Sequence, residues 1–355
     1  MPAKRLPLAT VVVTAFAIAG CASIGPRTVT VDRFDYSSAM AESWKQQTLL
    51  NIVKLRYVDL PVFVDVASVV AGYSLQTGVN VNGVVSSSGA VQGNYGGLGA
   101  QGIYTDRPTI TYVPLTGEKF LRGLITPIDP KNIFFMLQAG YPADFILALT
   151  VESLNGVRNR AVASGAIRPA DPEFVRVLEL LRDLQSDGAF SMRVEEDKAT
   201  GSTAVLLFRR EDLSEEIRSK GAELRQLLGL PAGVHRFELV YSPVRGEPEE
   251  MAVNSRSMLQ ILTAFATFVD VPQEHIDRQM ARASLETEDR LVGRIRSGRE
   301  RPDSAYAAVE YRDHWFWVAD DDFSAKRALM AVMFFFTLAE TGGAERLPLV
   351  TIPAQ

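Results

Sequence analysis

The sequence has few of the residues that form disulfides or bind metals. Its 355 residues include one cysteine, Cys21, and three histidines, His235, His275 and His314. A single cysteine excludes an intramolecular disulfide, so the chain must stabilise itself through its hydrophobic core. The histidines are far apart in the sequence, and no cysteine or histidine spacing matches a zinc motif. We therefore expect neither a metal site nor a cofactor.

Catalytic motifs are also missing: the sequence has no Gly-x-Ser-x-Gly elbow and no phosphate-binding P-loop. Residues 97–102, Gly-Leu-Gly-Ala-Gln-Gly, have the dinucleotide spacing but lead into the strand-like Ile103-Tyr104. The helix terminus that would hold a phosphate is therefore absent from the pattern. Asp320, Asp321 and Asp322 precede a predicted helix over 324–340, which favours an acidic capping turn over a calcium loop. We expect no catalytic residues.

The charge of the chain argues against nucleic acid as a partner. It has 37 Lys and Arg against 42 Asp and Glu, a formal net charge of −5. No stretch concentrates basic residues at the density that phosphate contacts require.

The N-terminal residues have the pattern of a secretory signal. Lys4 and Arg5 are followed by the uncharged, mostly apolar run Leu6 to Ala19. This run is shorter than the about 20 apolar residues that a membrane-spanning helix needs.

Residues 18–21, Ile-Ala-Gly-Cys, end this run and resemble the lipobox of bacterial lipoproteins. The resemblance implies that residues 1–20 are removed by cleavage between Gly20 and Cys21. It also implies that Cys21 is acylated, which makes membrane lipid the first expected partner. Residue 22 is Ala rather than Asp, and by similarity to the sorting rule of Gram-negative lipoproteins this favours the outer membrane. We expect residues 21–35 to form a lipidated tether and the body to face the periplasm.

The body has the mixed periodicity of an α+β protein, in which antiparallel hairpins pack with amphipathic helices. A helix is predicted over 38–57 and a strand over 61–70. Two further hairpins are predicted, over 189–208 and 305–319. We divide the body into an N-terminal region, 36–170, and a C-terminal region, 171–355.

Residues 66–105 contain no Asp, Glu, Lys or Arg and are rich in Gly, Ser, Asn and Val. Part of this segment alternates: Tyr73, Leu75, Val79 and Val81 fall on one side of a strand, with polar residues between them. A looser return arm includes Tyr95 and Tyr104 and is interrupted by glycines.

Three interpretations of the uncharged segment stay open. It forms a soluble Gly-rich hairpin or loop, a membrane hairpin of roughly 73–83 and 95–105, or a strand edge that binds a peptide. Each arm has about the 9–11 residues that a tilted transmembrane strand requires. One protomer's two strands cannot close a barrel, so the second interpretation requires several copies.

Two stretches of the body, 51–57 (Asn-Ile-Val-Lys-Leu-Arg-Tyr) and 311–317 (Tyr-Arg-Asp-His-Trp-Phe-Trp), are similar to envelope lipoproteins of Gram-negative bacteria. The resemblance implies no activity and no site residues. We therefore expect a non-enzymatic structural or assembly component of an envelope complex, with envelope proteins or copies of itself as partners. The first alternative is an oligomeric outer-membrane pore or export lipoprotein that inserts the 73–105 hairpin, resembling those that secrete curli or polysaccharide. The second is an envelope hydrolase.

Overall fold

A computed structural model describes residues 25–70, 73–84, 95–163, 166–197, 201–209, 211, 213–283 and 292–340 of the chain. The expected signal peptide, the cleavage position after Gly20 and the acylation site Cys21 lie outside the described residues.

The described residues form an α+β protein, as the sequence predicts. The helices are α1 (Gly25–Arg56), α2 (Glu118–Ile125), α3 (Pro130–Gln138), α4 (Ala143–Thr150), α5 (Pro172–Ser186), α6 (Glu215–Leu228), α7 (Met258–Ala266), α8 (Gln273–Asp277) and α9 (Phe323–Glu340). The strands are β1 (Phe63–Val70), β2 (Tyr73–Val84), β3 (Tyr95–Asp106), β4 (Thr109–Leu115), β5 (Val151–Leu154), β6 (Val157–Arg158), β7 (Ala161–Ala163), β8 (Ala166–Arg168), β9 (Phe190–Asp197), β10 (Gly201–Phe208), β11 (Arg236–Tyr241), β12 (Glu250–Ser255), β13 (Arg296–Gly298), β14 (Ala307–Tyr311) and β15 (His314–Val318).

Helix α1 begins earlier than the sequence pattern predicts. Residues 25–35, which we expect to belong to an irregular tether, are already helical. Pro26 lies in the first turn, where its fixed φ is compatible with a helix, and neither Gly nor Pro follows before Arg56. Lys54 and Arg56 in the last turn complement the helix dipole.

The chain divides into two compact units, and the larger consists of residues 44–63 and 115–346. It contains a six-stranded sheet in the order β6-β5-β12-β11-β10-β9, antiparallel except for the parallel pair β11–β12. The boundary that we expect near residue 170 falls inside this unit, because β5 hydrogen-bonds to β12 across it. The predicted hairpins over 189–208 and 305–319 are confirmed as β9–β10 and β14–β15.

The core of the larger unit lies between its helices and its strands. Its largest fully buried side chains are aromatic and come from elements throughout the unit: Phe63, Phe134, Phe145, Phe174, Phe237, Phe265, Phe316 and Phe335. Helix α5 shows how the sequence builds this core, since Phe174, Val177, Leu181 and Leu184 recur at helical spacing and all are buried.

The smaller unit includes residues 64–114 and the first part of α1, up to residue 43. Strands β2 and β3 form a two-stranded antiparallel sheet, and β1 and β4 form another. The predicted Gly-rich uncharged hairpin is thus confirmed as an element of the fold, with arms of 12 residues each.

Candidate functional sites

The register of the β2–β3 hairpin separates apolar from polar residues more cleanly than the sequence does. Because successive residues of a strand alternate between its faces, each cross-strand pair shares one face. On the first face the pairs are Tyr73–Asp106, Leu75–Tyr104, Thr77–Gly102, Val79–Ala100, Val81–Leu98 and Gly83–Gly96. This face therefore gathers five of the six residues predicted for the membrane hairpin.

The second face of the hairpin is mostly polar or glycine. Its pairs are Ser74–Thr105, Gln76–Ile103, Gly78–Gln101, Asn80–Gly99, Asn82–Gly97 and Val84–Tyr95. Tyr95, the sixth predicted residue, lies on this face at the end of the ladder, and Val84 and Ile103 are its other large apolar residues. Gln76, Asn80 and Asn82 are exposed.

Nothing in the hairpin's own structure requires its glycines. None of the six described glycines in β2 and β3 has a positive φ. A Cβ atom added to any of them would meet no heavy atom closer than 4.0 Å. Glycine weakens a strand, and in a strand it often marks a place where another backbone or a ligand approaches closely. The glycines thus lower the stability of the hairpin, and no contact within the hairpin requires them.

Charged residues bracket the hairpin at the β1–β4 end. Asp65 lies in β1, Asp106 is the last residue of β3 and pairs with Tyr73, and Arg107 lies between β3 and β4. Strand β4 is exposed along almost its whole length, including the large apolar residues Ile110 and Tyr112.

A second candidate site is a buried polar cluster in the larger unit. Tyr57 directly follows α1, Glu274 and His275 lie in α8, and His314 opens β15. The Tyr57 hydroxyl and His275 Nδ1 form a 2.7 Å hydrogen bond. The two imidazole rings are 4.6 Å apart between centroids, and His314 Nε2 lies 2.9 Å from Glu274 Oε1. Both histidines are buried, whereas the Glu274 side chain is 41% exposed.

The β14–β15 turn explains why His314 faces inward. Arg312 and Asp313 both have positive φ, as the two central residues of a tight hairpin turn of the primed type do, and Tyr311 pairs with His314 across the turn. Residues 314, 316 and 318 consequently point into the core, while Trp315 and Trp317 are half-buried on the other face.

The stretches 51–57 and 311–317, singled out in the sequence, meet around this cluster. The Tyr57 ring lies 5.4 Å from that of Tyr311 and 6.0 Å from that of Phe316. The Asp59 carboxylate accepts hydrogen bonds from the Tyr311 hydroxyl and from Arg312, whose guanidinium covers the Tyr57 ring. The cluster is thus held together by contacts between residues more than 200 positions apart in the sequence.

Burial dominates the electrostatics of the cluster. It raises the pKa of Tyr57 to about 12, against the opposing effects of Arg312 and Arg56. It also lowers the pKa of His275, with the neighbouring His314 acting in the same direction and Glu274 opposing it. Near neutral pH, Tyr57 is therefore a phenol and His275 a neutral imidazole.

The histidine spacing predicts no metal site, yet two of the three histidines come together in space. One ligand atom from each of Glu274, His275 and His314 lies within 4.8 Å of the others, whereas His235 lies elsewhere, before β11. Their spacing in the sequence carries no sign of this contact. The apolar alternation of β15 is the one signal that places His314 on an inward face.

The other motifs have structural roles. Asp322 Oδ1 accepts a hydrogen bond from the backbone N–H of Ala325 at 2.9 Å, which caps α9 as the capping interpretation predicts. Asp320 pairs with Lys326 on the first turn of the same helix. The glycine pattern at 97–102 lies within β3, and another strand follows it.

A pocket of about 540 Å³ is formed by residues of α3, α5 and β9. Its described lining contains no histidine, cysteine or carboxylate. Gln185, its central polar residue, donates to the carbonyls of Leu137 and Tyr141 and accepts from the N–H of Ala143. The pocket therefore offers the hydroxyls of Ser186 and Ser191 but, in its described lining, no carboxylate or histidine to act as acid or base for the hydrolase alternative.

Comparison of the chain with known protein families, with curated proteins and with solved structures gives no match in any of the three. None of the described helices combines the length and the apolar character needed to cross a membrane.

Proposed function

We propose that this chain is a non-enzymatic, lipid-anchored assembly protein of the cell envelope, and that its β2–β3 hairpin enters the outer membrane as one part of an oligomeric pore. The observation that carries this proposal is the hairpin register. It places Leu75, Val79 and Val81 opposite Tyr104, Ala100 and Leu98 on one face of a ladder without charges between Ser74 and Thr105.

The dimensions of the hairpin support membrane insertion. Each arm has 12 residues, against the about 9–11 that a tilted strand needs to cross the hydrocarbon core. A strand in such a position faces lipid on one side and an aqueous lumen on the other, which corresponds to the apolar and polar faces of this hairpin. The charged Asp106, which ends the ladder opposite Tyr73, and the adjacent Arg107 lie where an interface would be.

The open edges of the hairpin support an oligomer. Among the described residues, strands β2 and β3 form a two-stranded sheet, so each has a partner strand there on one side only. Unpaired backbone groups cost several kcal/mol each in lipid, and a spanning strand must therefore pair on both sides. Neighbouring copies of the same hairpin would supply that pairing. Their close approach would also explain six glycines that the isolated hairpin does not need.

The N-terminal sequence supports a lipid anchor. The signal pattern, the lipobox at 18–21 and the single cysteine occur together and in the order that lipoproteins require. Acyl chains on Cys21 would hold the protein at the membrane into which the hairpin inserts, which raises the local concentration of hairpins available for pairing.

The oligomer is tested by the molar mass of the full-length protein, extracted in detergent and measured by size exclusion with light scattering. We expect a ring of several copies for the parent. Val81→Lys introduces a charge on the apolar face and should yield monomers, while the matched control Asn80→Lys, one residue away on the polar face, should keep the ring. A monomeric parent, or equal behaviour of the two variants, would contradict the proposal.

The anchor is tested separately by Cys21→Ser. We expect this variant to lose labelling by a fatty-acid probe and to leave the membrane fraction more readily than the parent. Labelling that persists in the variant would show that Cys21 is not the acylated residue.

A further inference from the structure

We propose that Glu274, His275 and His314 bind a divalent transition-metal ion of the zinc type. Two buried imidazoles and a carboxylate lie together, with one ligand atom of each within 4.8 Å of the others. Two histidines and a glutamate are a ligand set that holds zinc in proteins and leaves a fourth position open. This inference is independent of the hairpin and of its role in the membrane.

The hydrogen-bonding positions of His314 favour a metal ligand. Its Nε2 lies 2.9 Å from Glu274 Oε1 and its Nδ1 lies 3.4 Å from the carbonyl oxygen of Arg312. Both neighbours are acceptors, but a neutral imidazole has one N–H and cannot donate to both. A metal ion on Nε2 is compatible with both contacts, because the Glu274 oxygen can bind the same ion while the remaining Nδ1–H donates to the carbonyl. That is the usual second contact of a metal-binding histidine.

His275 is oriented in a comparable way. Its Nδ1 is held by the Tyr57 hydroxyl at 2.7 Å, and a phenol oxygen accepts as well as donates. In the tautomer that donates Nδ1–H to Tyr57, the lone pair on Nε2 is available to the ion. Tyr57 is therefore a positioning residue in this proposal.

Glu274 brings the negative charge and the route to solvent. Its Oε1 faces His314, while its Oε2 accepts a hydrogen bond from Arg299 at 2.5 Å, so Oε1 ligates the ion and Oε2 stays with the guanidinium. Because the Glu274 side chain is partly exposed, water reaches the open position. The bound ion would link α8 to β15, two elements already connected at this point by the His314–Glu274 contact and by the packing of the two imidazole rings.

The test is a titration of the metal-free, full-length protein in detergent with Zn²⁺, followed by calorimetry and by thermal unfolding. We expect about one ion per chain and a melting temperature that rises with the Zn²⁺ concentration. Absence of saturable binding would overturn the proposal.

Variants locate the ion. His314→Gln and Glu274→Gln should each weaken Zn²⁺ binding by roughly 100-fold, the upper end of the effect of an outer-shell change, since each removes a ligand atom. Tyr57→Phe should weaken it by about 10-fold. His235→Gln changes the one histidine outside the cluster and should bind as the parent does.

Folding of each variant is checked by its melting temperature without metal. If His314→Gln does not fold, the Zn²⁺ affinity of Glu274→Gln tests the assignment, because this substitution changes a partly exposed side chain without changing its size. Unchanged Zn²⁺ affinity in a folded Glu274→Gln protein would place the ion elsewhere and overturn the assignment.

Discussion

The larger unit buries its apolar side chains between a six-stranded sheet and its helices, whereas the β2–β3 hairpin of the smaller unit is a ribbon of two strands. In the larger unit, Phe145, Phe174 and Phe265 are completely inaccessible to solvent. In the hairpin, every residue whose exposure is described in β2 is exposed. An isolated two-stranded ribbon is marginally stable in water. The larger unit thus contains the interactions that stabilise it, whereas the stability of the β2–β3 hairpin depends on its surroundings.

The same contrast appears in the polar groups. The larger unit pairs many of its buried polar atoms internally, as in the exchange of two hydrogen bonds between Asn51 and the backbone of Val62. The hairpin leaves one edge of each strand without a partner strand among the described residues. Exposed strand edges are templates for association, which natural proteins usually block with charge or proline. Between Ser74 and Thr105 the ladder of this hairpin contains neither charged residues nor proline, so nothing of this kind blocks pairing of its edges with another strand.

The largest expected effect is on the core of the larger unit. Phe145→Ala should reduce the free energy of unfolding by about 3–5 kcal/mol, because it leaves a cavity in a fully packed site. Tyr112→Ala, which removes a 61% exposed side chain of β4, should change it by less than about 0.5 kcal/mol. Tryptophan fluorescence in a denaturant titration measures this directly, since Trp44, Trp315 and Trp317 all belong to the larger unit. Similar losses of unfolding free energy for the two variants would contradict the contrast between the packed larger unit and the exposed strand β4.

A somewhat smaller effect is expected at Arg256, whose buried guanidinium donates to three backbone carbonyls, those of Ala148, Leu149 and Arg160. Arg256→Met keeps much of the volume but leaves these acceptors without their donor. We expect a loss of about 2–4 kcal/mol in the same titration, since each unsatisfied buried acceptor costs about 1–3 kcal/mol and neighbouring losses overlap. Arg218→Met on exposed α6 is the control and should be nearly neutral. A loss below 1 kcal/mol would mean that water replaces the guanidinium.

The polar cluster predicts a pH effect of about 2–3 kcal/mol at the alkaline side. Tyr57 has a pKa of about 12 in the folded protein against 10.0 for an ordinary tyrosine. Between these values the unfolded chain loses this proton first. The contribution of the protonated Tyr57 to the unfolding free energy is therefore fully present below pH 10 and falls as the pH rises toward 12. The unfolding free energies of the parent and of Tyr57→Phe should therefore approach each other as the pH rises from 10 to 12. A constant difference between them would show that the burial of the phenol does not control this loss.

The smallest expected effect on the larger unit comes from removing the hairpin altogether. Replacement of residues 73–106 by a short Gly-Ser linker should change the unfolding free energy reported by the tryptophans by less than about 0.6 kcal/mol, the order of a loop-length change. The oligomer should nevertheless disappear. A loss of several kcal/mol would show that the hairpin belongs to the stabilising core, and the division into two kinds of region would fail.

Local patterns predict much of this fold. The alternation around 311–318 predicts the β14–β15 hairpin, and the apolar spacing of 174–184 predicts the buried face of α5. The uncharged alternation of 73–81 predicts β2. Its partner β3 looks irregular in the sequence because glycines interrupt it, and only the register shows that they fall opposite residues of both faces.

The contacts between residues far apart in the chain are the features of this fold that the sequence does not predict. The boundary expected near residue 170 ignores the pairing of β5 with β12, since neither strand indicates its partner. His275 and His314 lie in separate elements, and Tyr57 hydrogen-bonds to His275 from a position 218 residues earlier. No local spacing describes such a cluster, because tertiary packing alone creates it.

The most direct test of the membrane hairpin uses the scarcity of cysteine in this chain. Cys21 is the only native cysteine, and acylation would block its thiol. Single cysteines at positions 79, 80, 81 and 82 can therefore carry a fluorescent label whose quenching by nitroxide lipids is measured in vesicles. We expect strong quenching at 79 and 81 and weak quenching at 80 and 82, with the period of two that the register requires. Uniformly weak quenching at all four positions would contradict it.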